Sequence, residues 1–278
     1  MKEASAIKRK RTTIRLGVLF AVVVVLLVLY SVFAGGDDGD EIVEASDQVT
    51  STSEATDADA TGTTVTTITT TTTAIDEAGD GECPAEDGSS PAKTQFASEP
   101  PLCIDLETKY VAEFATSEGN FDVLLDPTLD ETTVNNFVFL ARNHAYDGTL
   151  FHRIIDQFMV QGGDVQHAGG TGNPGYLFTG GTPAEGQYKL GSIAMANSAG
   201  PSTNGSQFFI VTGPQGVGLQ PNYSLFGQVI EGLDVPLAMQ AVETADGNAP
   251  IEDVVVESLT IREATADDIS AYETALAG

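Results

Sequence analysis

Eight short apolar runs between residues 109 and 262 constrain this chain most: YVAEFAT, FDVLLD, FHRII, FMVQGG, GSIAMAN, QFFIVT, SLFGQVI and VVVESLTI. Each is of strand length, and the five middle runs, FHRII to SLFGQVI, are set off by Gly, Pro, Asn or Ser, the residues that break regular structure. The first two alternate apolar and polar residues across Ser-Glu-Gly-Asn, a hairpin signal whose buried positions are expected to be Val111, Phe114, Phe121, Val123 and Leu125. Only two helices are evident. One is capped by Asp130 and carries Val134, Phe137, Val138 and Ala141 at helical spacing; the other lies around Leu233–Val242. Many strands with few helices imply a mainly β fold, a closed antiparallel barrel plugged at its ends, since closure removes exposed strand edges.

The remainder of the chain is of a different kind. Residues 1–15 hold Lys2, Lys8, Arg9, Lys10, Arg11 and Arg15, half of the 12 Lys and Arg in the protein. Residues 16–34 carry no charge and, at about 1.5 Å per residue, nearly span a hydrocarbon core of roughly 30 Å. They read as a transmembrane signal-anchor with a cytoplasmic N-terminus. A cleaved signal peptide is the alternative, with Val32 and Ala34 as the small residues before the cut. Either reading puts the rest of the chain outside the cytoplasm, anchored or secreted. Residues 35–82 lack Lys and Arg, are acidic, and include the threonine tract Thr63–Thr73, so they read as a disordered linker. The net charge of −28 leaves no cationic cluster after the first 15 residues and excludes phosphate-backbone recognition, so no nucleic-acid partner is expected.

Both cysteines, Cys83 and Cys103, fall on the exported side, where an even count favours one disulfide. Such a bond would stabilise the lead-in, residues 83–108, by roughly 3 kcal/mol in the chain-entropy model. Two free thiols are the alternative; a zinc site would need ligands that two cysteines alone do not supply. The main domain is expected at 109–262. Residues 263–278 form an acidic tail, either a frayed helix or disordered.

Two runs carry the chemistry: FHRIIDQFMVQGGD at Phe151–Asp164 and MANSAGPSTNGSQFFI at Met195–Ile210. In both, side-chain amides punctuate apolar strands, an arrangement suited to gripping a peptide backbone. The three histidines, His144, His152 and His167, read as structural or surface residues. The glycine-rich Gly169–Gly175 follows the first run, opens no helix, and reads as a mobile surface loop rather than a phosphate loop. Asn204 and Asn222 begin N-glycosylation patterns that are taken as coincidental.

These two runs resemble the cyclophilin family of peptidyl-prolyl cis/trans isomerases over about Lys109 to Arg262, and the layout is similar to membrane-anchored actinobacterial forms. The resemblance implies an eight-stranded antiparallel barrel capped by two α-helices, a monomer acting on proline-containing polypeptides, and neither metal nor cofactor. It implies Arg153 as the catalytic arginine, and Phe158, Met159 and Phe209 as the proline-ring pocket. Gln161, Asn197 and Gln207, beside Ala196, are implied to hold the substrate, with Leu219 and Tyr223 at the rim. The chain has no Trp, and Gly218 and Tyr223 stand where well-known members carry rim residues that bind cyclosporin. Asn197-Ser-Ala-Gly-Pro is also one residue longer than the common spacing. A non-catalytic module gripping proline-containing segments is the alternative function.

Overall fold

The structure, a computed structural model, describes residues 82–277. The expectations for residues 1–15 and 16–34, and for the linker up to residue 81, lie outside the described residues. Among the described residues no helix is long and apolar enough to cross a membrane.

Eight strands form one antiparallel sheet: β1 (Tyr110–Thr116), β2 (Gly119–Leu125), β3 (Arg153–Ile155), β4 (Met159–Gly162), β5 (Ser192–Met195), β6 (Phe208–Val211), β7 (Leu225–Glu231) and β8 (Val256–Glu263). Their order is β3-β4-β6-β5-β7-β2-β1-β8, so β3 and β8 are the edges. The expected closed ring is a curled sheet instead. Its edge strands share no ladder, and they approach only at the single bridge between Leu150 and Val255, just outside both strands. Backbone bonds from Phe151 to Val254 (2.9 Å) and from Val256 to Thr149 (2.8 Å) complete this seam. β3 has three residues, too few to extend a ladder along the eight of β8.

The β1–β2 hairpin turns as its sequence predicts, with Thr116 opposite Gly119. Alternation puts Tyr110, Ala112 and Phe114 on one face, with Phe121, Val123 and Leu125 beside them in the main core. Val111, grouped with Phe114 in the sequence reading, is three residues away and falls on the other face, where it is nevertheless fully buried.

Among the described residues four α-helices accompany the sheet: α1 (Glu131–Arg142), α2 (Pro214–Val217), α3 (Asp234–Met239) and α4 (Ala266–Ala277). The Asp130 carboxylate caps α1 by accepting from the Thr133 N–H at 3.2 Å and the Thr133 hydroxyl at 2.7 Å. From α1, Phe137 enters an aromatic cluster around Phe208, whose ring lies edge-on to Phe114, Phe137, Tyr146 and Phe151. The expected second helix is present but shorter, as α3. The acidic tail is an ordered helix, α4, with Tyr272 buried.

The expected disulfide joins Cys83 and Cys103, whose Cα atoms are 5.3 Å apart. It pins a segment without regular structure that runs over α1.

Candidate active site

Strand alternation builds this site. On β4, Val160 points into the main core, while Met159 and Gln161 point to the opposite face. On β6, Phe208 and Ile210 enter the core while Phe209 and Val211 face Met159. The ladder pairs Arg153 with Gln161, Gln161 with Phe209, and Phe209 with Ala194. Guanidinium, amide and aromatic ring are thereby set across neighbouring strands.

A second apolar cluster forms on this face from Met159, Tyr188, Ala194, Phe209, Val211 and Leu225, with Phe158, Ala196, Leu219 and Tyr223 partly covered at its border. The Tyr223 ring stands edge-on to Phe209, centroids 5.3 Å apart. Tyr188 anchors that rim, its hydroxyl donating to the Tyr223 carbonyl (2.7 Å) and accepting from the Tyr223 N–H (3.1 Å). Burial pushes the Tyr188 phenol up to about 12, so it stays a neutral donor.

Beside this floor runs a polar relay. Arg153 Nη1 donates to Gln161 Oε1 at 3.1 Å, and Gln161 Nε2 donates to Gln207 Oε1 at 3.0 Å. Gln207 Nε2 in turn donates to the carbonyls of Gly170 (2.9 Å) and Gly172 (3.0 Å). Each amide is orientated by its neighbours, because only one flip satisfies both bonds.

The glycine-rich stretch, read from the sequence as a surface loop, therefore supplies a wall of the site through Gly170–Asn173. The Asp164 carboxylate accepts from four backbone N–H groups, those of Gln166 (3.0 Å), Ala168 (3.1 Å), Gly170 (2.7 Å) and Gly172 (3.2 Å). Burial alone would raise the Asp164 carboxyl, but these donors outweigh it and hold it below the usual range. At Gly170, where φ is 94°, a Cβ would lie 2.8 Å from the His152 ring. Burial lowers the His152 imidazole, which favours its neutral form, consistent with a structural role.

Floor, relay and loop enclose a cavity of about 540 Å³. All ten residues singled out from the sequence line it: Arg153, Phe158, Met159, Gln161, Ala196, Asn197, Gln207, Phe209, Leu219 and Tyr223. The family model for cyclophilin type peptidyl-prolyl cis-trans isomerase/CLD matches residues 111–261, which include all ten. The chain belongs to this family. A cyclophilin relative from Streptomyces anulatus, peptidyl-prolyl cis-trans isomerase B, is 39% identical over 169 residues, covering 54% of this chain and 95% of its own. Among solved structures, a cyclophilin type isomerase from Cryptosporidium parvum aligns with a TM-score of 0.52 at 25% identity, covering 56% of this chain and 99% of that one. The same protein in the presence of the dipeptide Ala-Pro gives 0.50 at 26% identity, covering 55% and 98%.

In this cyclophilin domain the Asn197 side chain is committed to two backbone partners, one in its own loop and one in the rim. Its Nδ2 donates to the Asn222 carbonyl (3.0 Å) and its Oδ1 accepts from the Gly200 N–H (3.0 Å). It therefore closes the enlarged Ser-Ala-Gly-Pro turn against the rim. The sequence reading missed Gly170, Thr171, Gly172, Asn173 and Gly205 as lining residues. For Gly170 to Asn173 an acid followed by a run rich in glycine was the one local signal, and it gives no hint that Gln207 reaches them. Asn204 is fully buried, with Nδ2 donating to Ser224 Oγ at 2.9 Å, so its glycosylation pattern is sterically closed.

Proposed function

We propose that this chain accelerates rotation about X-Pro bonds by a non-covalent route in which Arg153 donates to the proline nitrogen. The relay from Arg153 through Gln161 to Gln207, beside the Met159 and Phe209 floor, is the observation that carries this reading. Resonance between nitrogen and carbonyl sets a barrier of about 18–20 kcal/mol, and a donor at nitrogen favours the pyramidal, unconjugated form. That bond is strongest in the twisted transition state, so the stabilisation is differential. Phe158, Met159 and Phe209 would grip the ring while the carbonyl side turns, with Gln161 and Gln207 holding the flanking backbone. The Ala-Pro dipeptide named with the Cryptosporidium parvum structure supports proline-containing chains as substrates.

The clients are inferred to be exported polypeptides, met by a monomer held at the cell membrane by residues 16–34. The basic residues before that apolar run support this reading, as does a disulfide suited to an oxidising compartment. Uncatalysed isomerisation takes about 10–100 s, long enough to leave incompletely folded chains exposed.

Exchange between the cis and trans forms of a short X-Pro peptide, followed by NMR with the full chain added, tests the activity. Enhanced exchange supports catalysis; peptide binding with no enhancement would replace it with a binding module.

A further inference from the structure

The matched region starts at residue 111, yet the cavity does not rest on that region alone. Between the two cysteines the chain is polar and Pro-rich, and only Phe96 among its large apolar side chains is buried, Leu102 being exposed. The Phe96 ring packs 4.9 Å from Phe139 of α1 and 6.5 Å from Tyr176, centroid to centroid. Its N–H donates to the Pro174 carbonyl at 2.8 Å, and the neighbouring Gln95 Nε2 donates to the Asn173 carbonyl at 3.0 Å. Gly175, at φ 97°, passes so close to the Phe96 carbonyl that no side chain fits there.

A second path reaches the same cavity. The Tyr176 hydroxyl donates to Asn136 Oδ1 at 2.5 Å, and Asn136 Nδ2 donates to the Gly205 carbonyl at 3.0 Å. Asn173 and Gly205 both line the cavity. The segment is itself tied to α1. Asn135 accepts from the Cys103 N–H and donates to the Pro101 carbonyl, each at 2.8 Å, and the Lys93 N–H donates to the Asn143 carbonyl at 2.9 Å. Ten of the twelve residues of α1 are buried, as expected of a helix covered on both sides.

We propose that the segment from Cys83 to Cys103 is a positioning strap for the substrate cavity, with Phe96 and Gln95 fixing the wall at Asn173–Tyr176. Phe96 and Gln95 are positioning residues: neither lines the cavity, and both act through the backbone that does. The disulfide sets the length of the strap by holding its two ends together. The strap would act on the binding of residues flanking proline and leave the Arg153–Gln161 pair on β3 and β4 unaltered. In that respect it rests on the isomerase reading.

The test uses the full chain as wild type, Phe96→Ala, Phe96→Leu and Gln95→Ala, with KM and kcat measured on an X-Pro peptide. Hydrogen exchange of residues 164–176 is followed in parallel by mass spectrometry. Phe96→Ala is expected to raise KM about fivefold with kcat within about twofold of wild type, and Phe96→Leu to restore most of the loss. Gln95→Ala is expected to raise KM about twofold, and both alanine variants to speed exchange in 164–176. Dithiothreitol acting on wild type, whose only cysteines are this pair, should reproduce the KM change without any substitution. Should Phe96→Ala fail to fold, Gln95→Ala and the reduced wild type still decide the matter. Unchanged KM and unchanged exchange in these samples would overturn the strap, as would faster exchange spread evenly over the domain. A wild type without catalysis would overturn the isomerase reading instead, while exchange in 164–176 would still decide for or against the strap.

Discussion

Arg153 and Gln161 face each other in the β3–β4 register, and the guanidinium donates to the amide oxygen at 3.1 Å. This single bond holds Arg153 over the apolar floor with other N–H groups still to give. Arg153→Ala is expected to lower kcat/KM by about 10²–10³, the usual effect of deleting one transition-state donor. Arg153→Lys keeps the charge but loses the planar fork, and should fall between the two. Arg153 is partly exposed, so melting temperatures should barely move. Full activity in Arg153→Ala would end the proposed role.

Gln207 joins the relay to the loop, accepting from Gln161 and donating to two carbonyls. In Gln207→Glu the donor is lost, and a carboxylate would face the Gly170 and Gly172 oxygens. Repulsion should displace the loop and weaken peptide binding by about tenfold, equivalent to about 1.4 kcal/mol. Titration of an Ala-Pro peptide against both proteins measures this. Equal affinities would show that the loop needs no support from Gln207.

The parts of this molecule legible in the sequence are those fixed by local pattern. The β1–β2 hairpin shows in its alternation, and α1 in Asp130 and its apolar spacing. The lining residues on β3, β4 and β6 were legible through a motif, because adjacent strands present them in fixed register. The glycine-rich wall was not legible. Its order comes from Asp164 and from Gln207, which lies 37 residues beyond Gly170. Phe96 is a lone aromatic in a polar stretch and has no periodicity to reveal it, and closure of the sheet depends on strand lengths that composition does not fix.

His144 offers a test by pH. Its Nδ1 is 2.9 Å from the Asp147 carboxylate and its Nε2 2.9 Å from the Gly88 carbonyl, so only the imidazolium can donate to both. The Gly88 carbonyl first, then Asp147, raise the His144 pKa above its usual value. A raised folded pKa means that the contribution is whole below the unfolded value of about 6.5 and fades as pH rises through the folded one. The gap in melting temperature between wild type and His144→Gln should therefore be larger near about pH 5.5 than near about pH 8.5. A gap that is constant or grows with pH would contradict this.

The C-terminal helix supplies the last test, because its docking depends on a few named contacts. Thr265 and Asp268 cap each other: the Thr265 N–H donates to the Asp268 carboxylate at 2.7 Å, and the Asp268 N–H donates to Thr265 Oγ1 at 3.3 Å. Arg262 clamps the same carboxylate through Nη1 (2.6 Å) and Nη2 (3.1 Å), and it holds Asp268 well below the usual carboxylate range. One turn further on, Tyr272 is buried beneath Lys109, whose ammonium lies 5.6 Å from the ring. Thr265→Ala should cost about 1 kcal/mol as a lost cap, and Tyr272→Ala about 2 kcal/mol as lost burial, read from urea unfolding. Neither residue lines the cavity, so kcat/KM should stay at the wild-type value in both. Protease should cut after residue 262 earlier in Tyr272→Ala than in wild type. If Tyr272→Ala unfolded at the wild-type urea concentration and resisted protease equally, the helix could not owe its place to that side chain.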